Sequence, residues 1–258
     1  MIKRIYPRYS ENSIATVKKT PKNTENKTLK KKPKQTLGTS YAAWFALAWF
    51  AIALASALPA QTHRSRSEAP APFDYYVLSL SWAPDFCAQP GAAAGNPKEC
   101  APGGRVGFIV HGLWPEAAVG RSPESCGAVK PVPKPVVDFV LRDMLSPSLI
   151  QHEWAAHGSC TGLNPFDYFS SIAQARAAVQ IPVQITSIED QIRVSPAQIE
   201  TQFAAANPSF PKTAFRTSCA RGAFQEMRIC FDKNLKPQAC TASVGECAVP
   251  AVIVRPPA

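Results

Sequence analysis

Eight cysteines constrain the fold of this chain more than any other feature of its 258 residues. Their number is even and all of them follow an apolar segment typical of export signals, which indicates a disulfide framework formed in an oxidising compartment. A structural zinc site would need closely paired, CxxC-like cysteines, and the sequence contains none. Spacing alone leaves the connectivity open, because eight cysteines allow on the order of a hundred pairings. The cysteines lie at positions 87, 100, 126, 160, 219, 230, 240 and 247.

The beginning of the chain has the pattern of an export leader. Residues 1–40 contain eleven Lys or Arg and two Glu, which is +9 of the total formal charge of +10, so the charge is not evidence for a nucleic-acid-binding face. Residues 41–58 are uncharged and mostly apolar, as in the h-region of a signal peptide. We expect cleavage after Ala57, and an uncleaved membrane anchor over the same residues is the alternative. The sequence thus predicts a basic leader and signal peptide in residues 1–57, a flexible linker in 58–72, a folded domain in 73–258, and a periplasmic or secreted protein.

The remaining sequence predicts an α+β fold. Short runs of aromatic and β-branched residues indicate strands, and runs with apolar residues at helical spacing indicate helices. Because strands and helices do not alternate regularly, we expect a single domain with a central antiparallel β-sheet flanked by helices, stabilised by disulfides. The predicted strands are 73–82, 105–110, 213–219, 222–231 and 247–254, and the second of them presents His111 at its end. The predicted helices are 135–145, the HEWAAHG stretch, 165–180, and a helix to Ala206 that begins at an S-x-x-Q capping box formed by Ser195 and Gln198.

Three of the four histidines lie in two short motifs, FIVHGLWPE at 108–116 and HEWAAHGSC at 152–160, whereas His63 lies in the linker and is expected to be solvated. His152 and His157 are five residues apart, which does not match the four-residue spacing with which zinc proteases bind their metal. Glu153 and His157 are four apart and would share a helix face, so the carboxylate is expected to orient the imidazole. Together with His111 this arrangement predicts general acid–base chemistry.

Each of these residues also has a purely structural interpretation. His111 and His157 would then be buried, hydrogen-bonded histidines, and Trp114 would be a core aromatic packed against Pro115. The concentration of both histidines in short polar and aromatic motifs favours the chemical interpretation. In that interpretation Trp114 offers a stacking surface for a nucleobase.

The two motifs resemble the active-site segments of the ribonuclease T2 family of secreted acid endoribonucleases. They occur in the same order, and the opening FDYYVLSLSW and a late CFD segment extend the resemblance over about residues 73–250. The resemblance implies metal-independent cleavage of single-stranded RNA to 2′,3′-cyclic phosphate ends, with low base specificity, no cofactor and no cleavage of DNA. It implies His157 as general base, His111 as general acid, Glu153 as support for the transition state, and His152 as a phosphate ligand. Trp114 and Glu116 match positions of the base pocket. We further expect a monomer that contacts membrane only if the leader is an uncleaved anchor.

The resemblance also implies the four disulfides and reveals one departure. The implied pairs are Cys87–Cys100, Cys126–Cys160, Cys219–Cys247 and Cys230–Cys240. The departure is Ala156, which stands where the family usually has a lysine just before the second-motif histidine. Loss of such a cation costs roughly 10² to 10³ in rate. An RNA-binding or protein-interaction module with reduced or lost turnover is therefore the alternative function, and the cations considered as substitutes are Arg105, Arg121, Lys130 and Arg142.

Overall fold

The computed structural model describes residues 72–257, which form one mixed sheet with helices packed around it. Its order is β2-β1-β5-β6-β3, with β4 paired to β5. Every pair is antiparallel except the contact between β5 and β6, where Ala223 pairs with Ile253. The α+β prediction with a mainly antiparallel sheet is therefore confirmed. The strands are β1 (Tyr75–Trp82), β2 (Phe108–Glu116), β3 (Ile192–Val194), β4 (Phe215–Ala220), β5 (Ala223–Phe231) and β6 (Val252–Val254).

Three of the longer helices begin at a side-chain cap followed by proline. Ser146 accepts a hydrogen bond from the backbone of Leu149, and Asn164 accepts one from Asp167. Ser195 forms the predicted capping box with Gln198. These caps satisfy backbone donors that the first helical turn leaves free, and proline fits there because its missing N–H is not needed. The helices are α1 (Ala83–Cys87), α2 (Ala92–Gly95), α3 (Lys134–Met144), α4 (Pro147–Ala156), α5 (Pro165–Ala178), α6 (Val183–Thr186) and α7 (Pro196–Ala206).

Two predicted boundaries near the candidate site are wrong. The second strand is not 105–110 but the whole FIVHGLWPE motif, so His111 lies inside β2 rather than at its end. The HEWAAHG stretch is not helical throughout, because α4 ends at Ala156 and a 3-10 turn, Gly158–Cys160, follows. His157 lies between the two as the C-terminal cap of α4.

The two faces of β1 differ in what they bury, because successive side chains of a strand point to opposite faces. Tyr76, Leu78, Leu80 and Trp82 belong to the main hydrophobic core with residues of the longer helices. Tyr75 and Val77 belong to a smaller cluster with Cys230 and Val244. The same face continues towards the end of β1 with Ser79 and Ser81, whose small side chains leave room above the sheet. The candidate site occupies that room.

Four disulfides pair the eight cysteines as the resemblance implied: Cys87–Cys100, Cys126–Cys160, Cys219–Cys247 and Cys230–Cys240. The Cys126–Cys160 bond fastens the segment after β2 to the turn after α4. Two hydrogen bonds support it, from the Ser125 backbone to the Ala156 carbonyl at 2.7 Å and from the Cys126 backbone to the Ser159 hydroxyl at 3.1 Å. The two histidine motifs are thereby held against each other.

The predicted leader and cleavage site in residues 1–57, the linker up to residue 71 and His63 lie outside the described residues. Within residues 72–257, none of the helices has both the length and the apolar character needed to cross a bilayer.

Candidate active site

A β-bulge in β2 presents His111 to the site. Ser79 of β1 is opposite Gly112 of β2, and Leu80 is opposite Val110, so His111 is the extra residue that faces no partner on β1. Such a bulge turns a side chain out of the regular alternation of a strand. The His111 side chain is about one-third exposed, with its Nε2 atom 3.5 Å from Oε1 of Glu153.

Glu153 of α4 is buried completely beside β2. Its Oε2 atom accepts a hydrogen bond of 2.9 Å from the Trp114 indole, while its Oε1 atom has no hydrogen-bond partner and faces His111. Space for the carboxylate exists because residue 112 is glycine: a Cβ atom there would lie 1.9 Å from Oε2 of Glu153. The position of Glu153 in HEWAAHGSC thus requires glycine at position 112 of FIVHGLWPE.

The expected side-chain contact between Glu153 and His157 is absent from the hydrogen bonds and ion pairs of residues 72–257. Only the backbones interact, through a hydrogen bond of 3.0 Å from the His157 N–H to the Glu153 carbonyl. The reason is the end of α4 at Ala156, which removes His157 from the helix face of Glu153. The His157 ring instead lies 5.4 Å from the Trp114 ring, and the His111 ring lies 5.3 Å from Trp114 in an edge-on arrangement. Both histidine rings therefore lie against Trp114.

Two further residues belong to this cluster, and the sequence analysis missed both. Glu226 of β5 accepts a hydrogen bond from Nδ1 of His111 at 2.6 Å, and Arg228 donates to the other oxygen of Glu226 from Nη2 at 3.1 Å. The Arg228 guanidinium also lies 5.3 Å from the centre of the Trp114 ring. A signal was available: Glu226 and Arg228 are the two charged residues of a mostly apolar strand and are two apart, and charged residues in buried strands are seldom unpaired.

The pKa values of the two histidines are shifted in opposite directions. Burial, with the nearby His152 and His111, lowers the pKa of His157 to about 4. Burial also lowers the pKa of His111, but the Glu226 hydrogen bond and the charges of Glu153 and Glu226 outweigh it, so the pKa is raised overall. The site thus favours a neutral His157 and a protonated His111 at weakly acidic pH.

The pKa values of the two carboxylates around His111 also diverge. Burial raises the pKa of Glu153 to about 7, against the opposing effects of His111 and Trp114. For Glu226, burial is outweighed by the hydrogen bond and charge of His111 and by Arg228, so its pKa is lowered. At weakly acidic pH Glu153 is therefore mostly protonated and Glu226 is ionised.

The remaining predicted residues lie around this cluster. His152 is exposed, whereas Glu116 is partly buried, hydrogen-bonded to the Ser122 hydroxyl, and has a pKa raised mainly by burial. Ala156 is buried, with 4% of its surface exposed.

None of the cations proposed as substitutes for lysine at 156 takes part in the hydrogen bonds or ion pairs that the site cluster forms within residues 72–257. Arg142 pairs with Asp143 and lies over Phe139 on α3, and Arg105, Arg121 and Lys130 are exposed. Arg228, which was not considered, is the cation in contact with the cluster.

A pocket of about 620 Å³ opens beside His111 and His152. Glu99, from the loop between β1 and β2, lines it and is 6% exposed, and its Oε1 atom has no hydrogen-bond partner. Burial raises the pKa of Glu99 to about 7, and the charge of His111 opposes this shift. The other residues that line the pocket near the histidines include Ser81, Ser146, Leu149 and Gln225.

No group of three or more His, Cys, Asp or Glu side chains within residues 72–257 is arranged to hold a metal ion.

Comparison with known proteins identifies the same family as the two motifs. The model of the ribonuclease T2 family matches residues 73–240. A probable ribonuclease of Haemophilus influenzae is 30% identical over 183 residues, which cover 67% of this chain and 62% of that protein. A ribonuclease of Aeromonas hydrophila is 34% identical over 116 residues, 44% of this chain and 50% of that protein. The match thus spans less than two thirds of the length of either relative.

The fold is also similar to solved structures. Trichomaglin, described as an S-like ribonuclease, superposes with a TM-score of 0.58 at 20% sequence identity, over 71% of this chain and 98% of that one. At this identity the similarity establishes the fold alone. It agrees with the sheet and helices described above.

Proposed function

Because this chain belongs to the ribonuclease T2 family, we propose that it is an exported endoribonuclease that cleaves single-stranded RNA without a metal ion or other cofactor. The observation that carries the proposal is the pair of histidines whose rings both lie against Trp114 and whose pKa values are shifted in opposite directions. Titratable groups whose environments separate their pKa values are the usual sign of an acid and a base.

In the proposed reaction His157 is the general base. Its neutral imidazole takes the proton of the ribose 2′-hydroxyl, and the 2′-oxygen attacks the adjacent phosphorus. His111 is the general acid, and Nε2 gives its proton to the 5′-oxygen as the bond from phosphorus to that oxygen breaks. The products are a 2′,3′-cyclic phosphate and a 5′-hydroxyl end. Positioned acid–base groups of this kind each contribute about 10² to 10⁴-fold to the rate.

The other site residues support the phosphate group and the nucleobase of the substrate. Glu153 is buried against His111 and protonated at weakly acidic pH, so it can support the transition state through His111 rather than by direct contact with the phosphate. His152 is exposed beside the pocket and can contribute a contact to phosphate. We assign Trp114 and Glu116 to the contact with the nucleobase. DNA lacks the 2′-hydroxyl nucleophile and is expected to be inert.

Incubation of the purified protein with RNA in EDTA tests the proposal. We expect products ending in 2′,3′-cyclic phosphate from RNA and no products from single-stranded DNA. His157→Ala and His111→Ala should each abolish cleavage, whereas His63→Ala, a histidine outside both motifs, is the matched control and should retain it. Full activity of His157→Ala would overturn the mechanism.

Ala156 favours one alternative, a protein that binds RNA with little or no turnover. Binding of RNA without cleavage between pH 4 and 8, a range of roughly two units around the ordinary histidine pKa of about 6.5, would support it. Ala156→Lys separates the cases further, since a large gain in rate indicates an impaired enzyme and no change indicates that another group already stabilises the phosphate. Because Ala156 is buried, the fold of this variant must be checked by circular dichroism.

A further inference from the structure

His111, the proposed acid, contacts a carboxylate on a strand that is not adjacent to its own strand. His111 lies on β2 and Glu226 on β5, and β1 runs between them. The residue of β1 beneath their contact is Ser81, which pairs with Ile109 on one side and with Glu226 on the other. The small serine lets the two longer side chains meet above it, and its hydroxyl lies 3.4 Å from the same oxygen of Glu226 that contacts His111.

We propose that Glu226, held in place by Arg228, is a positioning residue for His111 that keeps the proton on Nδ1 and leaves Nε2 to face the leaving oxygen. This inference rests on the proposed function, in which His111 is the general acid. An ionised carboxylate is only a hydrogen-bond acceptor, so a neutral imidazole that contacts it through Nδ1 must carry its proton there. The hydrogen bond that Nδ1 makes with Glu226 thus leaves Nε2 as the nitrogen that reacts.

Arg228 determines which oxygen of Glu226 remains available to His111. Its Nε and Nη2 atoms both donate to Oε2 of Glu226, at 3.3 and 3.1 Å, and its Nη1 atom donates to the Val244 carbonyl at 3.1 Å. The guanidinium is thus anchored at both ends, and the Glu226 carboxylate cannot rotate away without losing these bonds. Oε1 is left for His111.

The charges that face His111 come from several elements. Glu226 and Arg228 face it from β5, Glu153 from α4, His157 from the end of α4, and Glu99 from the loop after β1. Glu153 and Glu99 both have pKa values of about 7 and are mostly neutral at weakly acidic pH. Glu226 is the carboxylate of this set that remains ionised there, so its charge stabilises the protonated form of His111 when the acid is needed.

The test compares the wild-type protein with Glu226→Gln by NMR titration of the His111 ring without RNA. The amide keeps the size of the side chain and removes its charge, so the His111 pKa should fall by about one unit, as expected for loss of an adjacent opposite charge. The alkaline limb of the kcat/KM profile should move to lower pH by a similar amount. Glu246→Gln is the matched control, because Glu246 is also paired with an arginine, Arg216, yet is exposed and lies in the loop before β6.

A His111 pKa that is the same in Glu226→Gln and in the wild type would overturn the proposal. If the variant does not fold, the nitrogen chemical shifts of His111 in the wild type decide, since the neutral ring must carry its proton on Nδ1 and a proton on Nε2 would contradict the assignment. These measurements use no substrate. A wild-type protein that fails to cleave RNA would therefore refute the proposed function, while the titration would still test the contact between Glu226 and His111.

Discussion

The indole nitrogen of Trp114 donates a hydrogen bond of 2.9 Å to Oε2 of Glu153, joining two motifs that are 39 residues apart in the chain. The bond fixes which oxygen of Glu153 is engaged and directs the other towards His111. It also holds the Trp114 ring where the rings of both His111 and His157 lie against it. The tryptophan is thus a structural part of the candidate site, besides the proposed contact with a nucleobase.

Gly112→Ala should strongly reduce the activity of the protein with a modest loss of stability. The added methyl group would lie 1.9 Å from Oε2 of Glu153 and 2.8 Å from the Trp114 indole nitrogen, so both groups must move. Displacement of a positioned catalytic group is expected to lower kcat by about 100-fold, whereas overpacking costs about 1–3 kcal/mol in the free energy of unfolding. Steady-state kinetics and urea unfolding measure the two effects separately.

Gly95→Ala is the control for this substitution. Gly95 lies in α2 with open space around the position of a Cβ atom, so alanine there should change neither kcat nor the unfolding midpoint by much. A Gly112→Ala protein with wild-type kcat would show that Glu153 can relocate without consequence.

The sequence predicted local features well, because their causes are local. The capping box of Ser195 and Gln198 and the boundary of α7 follow from residues within one helical turn. The histidines and Trp114 were found because they stand in short motifs. Their convergence required only that two segments meet, which the Cys126–Cys160 disulfide ensures.

Features that depend on pairing between distant strands could not be predicted. The bulge at His111 is defined by the register of β2 against β1, and the contact with Glu226 depends on β5 lying beside β1. Neither the strand order nor the register can be read from a single strand. The prediction of a side-chain contact between Glu153 and His157 was wrong for a related reason. An i to i+4 pair requires a helix that continues through both residues, and α4 ends one residue before His157.

Glu99→Gln should stabilise the protein more at pH 8 than at pH 4. The pKa of Glu99 is about 7 in the folded protein against an ordinary value of 4.5, so the folded state favours the proton. The stability contributed by the protonated form is complete below pH 4.5 and is lost as pH rises through 7. Glutamine cannot ionise and avoids this loss, which amounts to about 3 kcal/mol at most.

The comparison requires chemical denaturation of both proteins at the two pH values with the disulfides intact. Glu246→Gln is again the control, because the Glu246 side chain is exposed whereas that of Glu99 is buried. An equal effect of Glu99→Gln at pH 4 and pH 8 would show that the folded protein does not raise the pKa of Glu99.

Removal of the Cys126–Cys160 disulfide by paired serine substitutions should impair catalysis as well as stability. The bond closes a loop with a sequence separation of 34, for which the chain-entropy model gives about 4 kcal/mol. It also holds the turn that carries His157, so kcat should fall even under conditions where the protein is folded.

The Cys230–Cys240 bond supplies the comparison for the disulfide. Its loop has a separation of only 10, so its removal should cost less stability, about 3 kcal/mol, and should affect kcat less. Equal losses of kcat in the two double variants, measured where both are folded, would argue against a specific role for the first bond.

The wild-type protein should be most active at weakly acidic pH. His157 must be neutral to act as a base, so kcat/KM for a diribonucleotide should rise as pH passes about 4. His111 must be protonated to act as an acid, and its pKa is raised above 6.5, so activity should persist up to that pH and then decline. Glu153 loses its proton near pH 7, and the new negative charge lies beside His111. The alkaline limb should therefore depart from the titration of a single group. A 2′-deoxy substrate should give no product at any pH, and an optimum above pH 8 with the ribonucleotide would contradict the pKa shifts on which the assignment of acid and base rests.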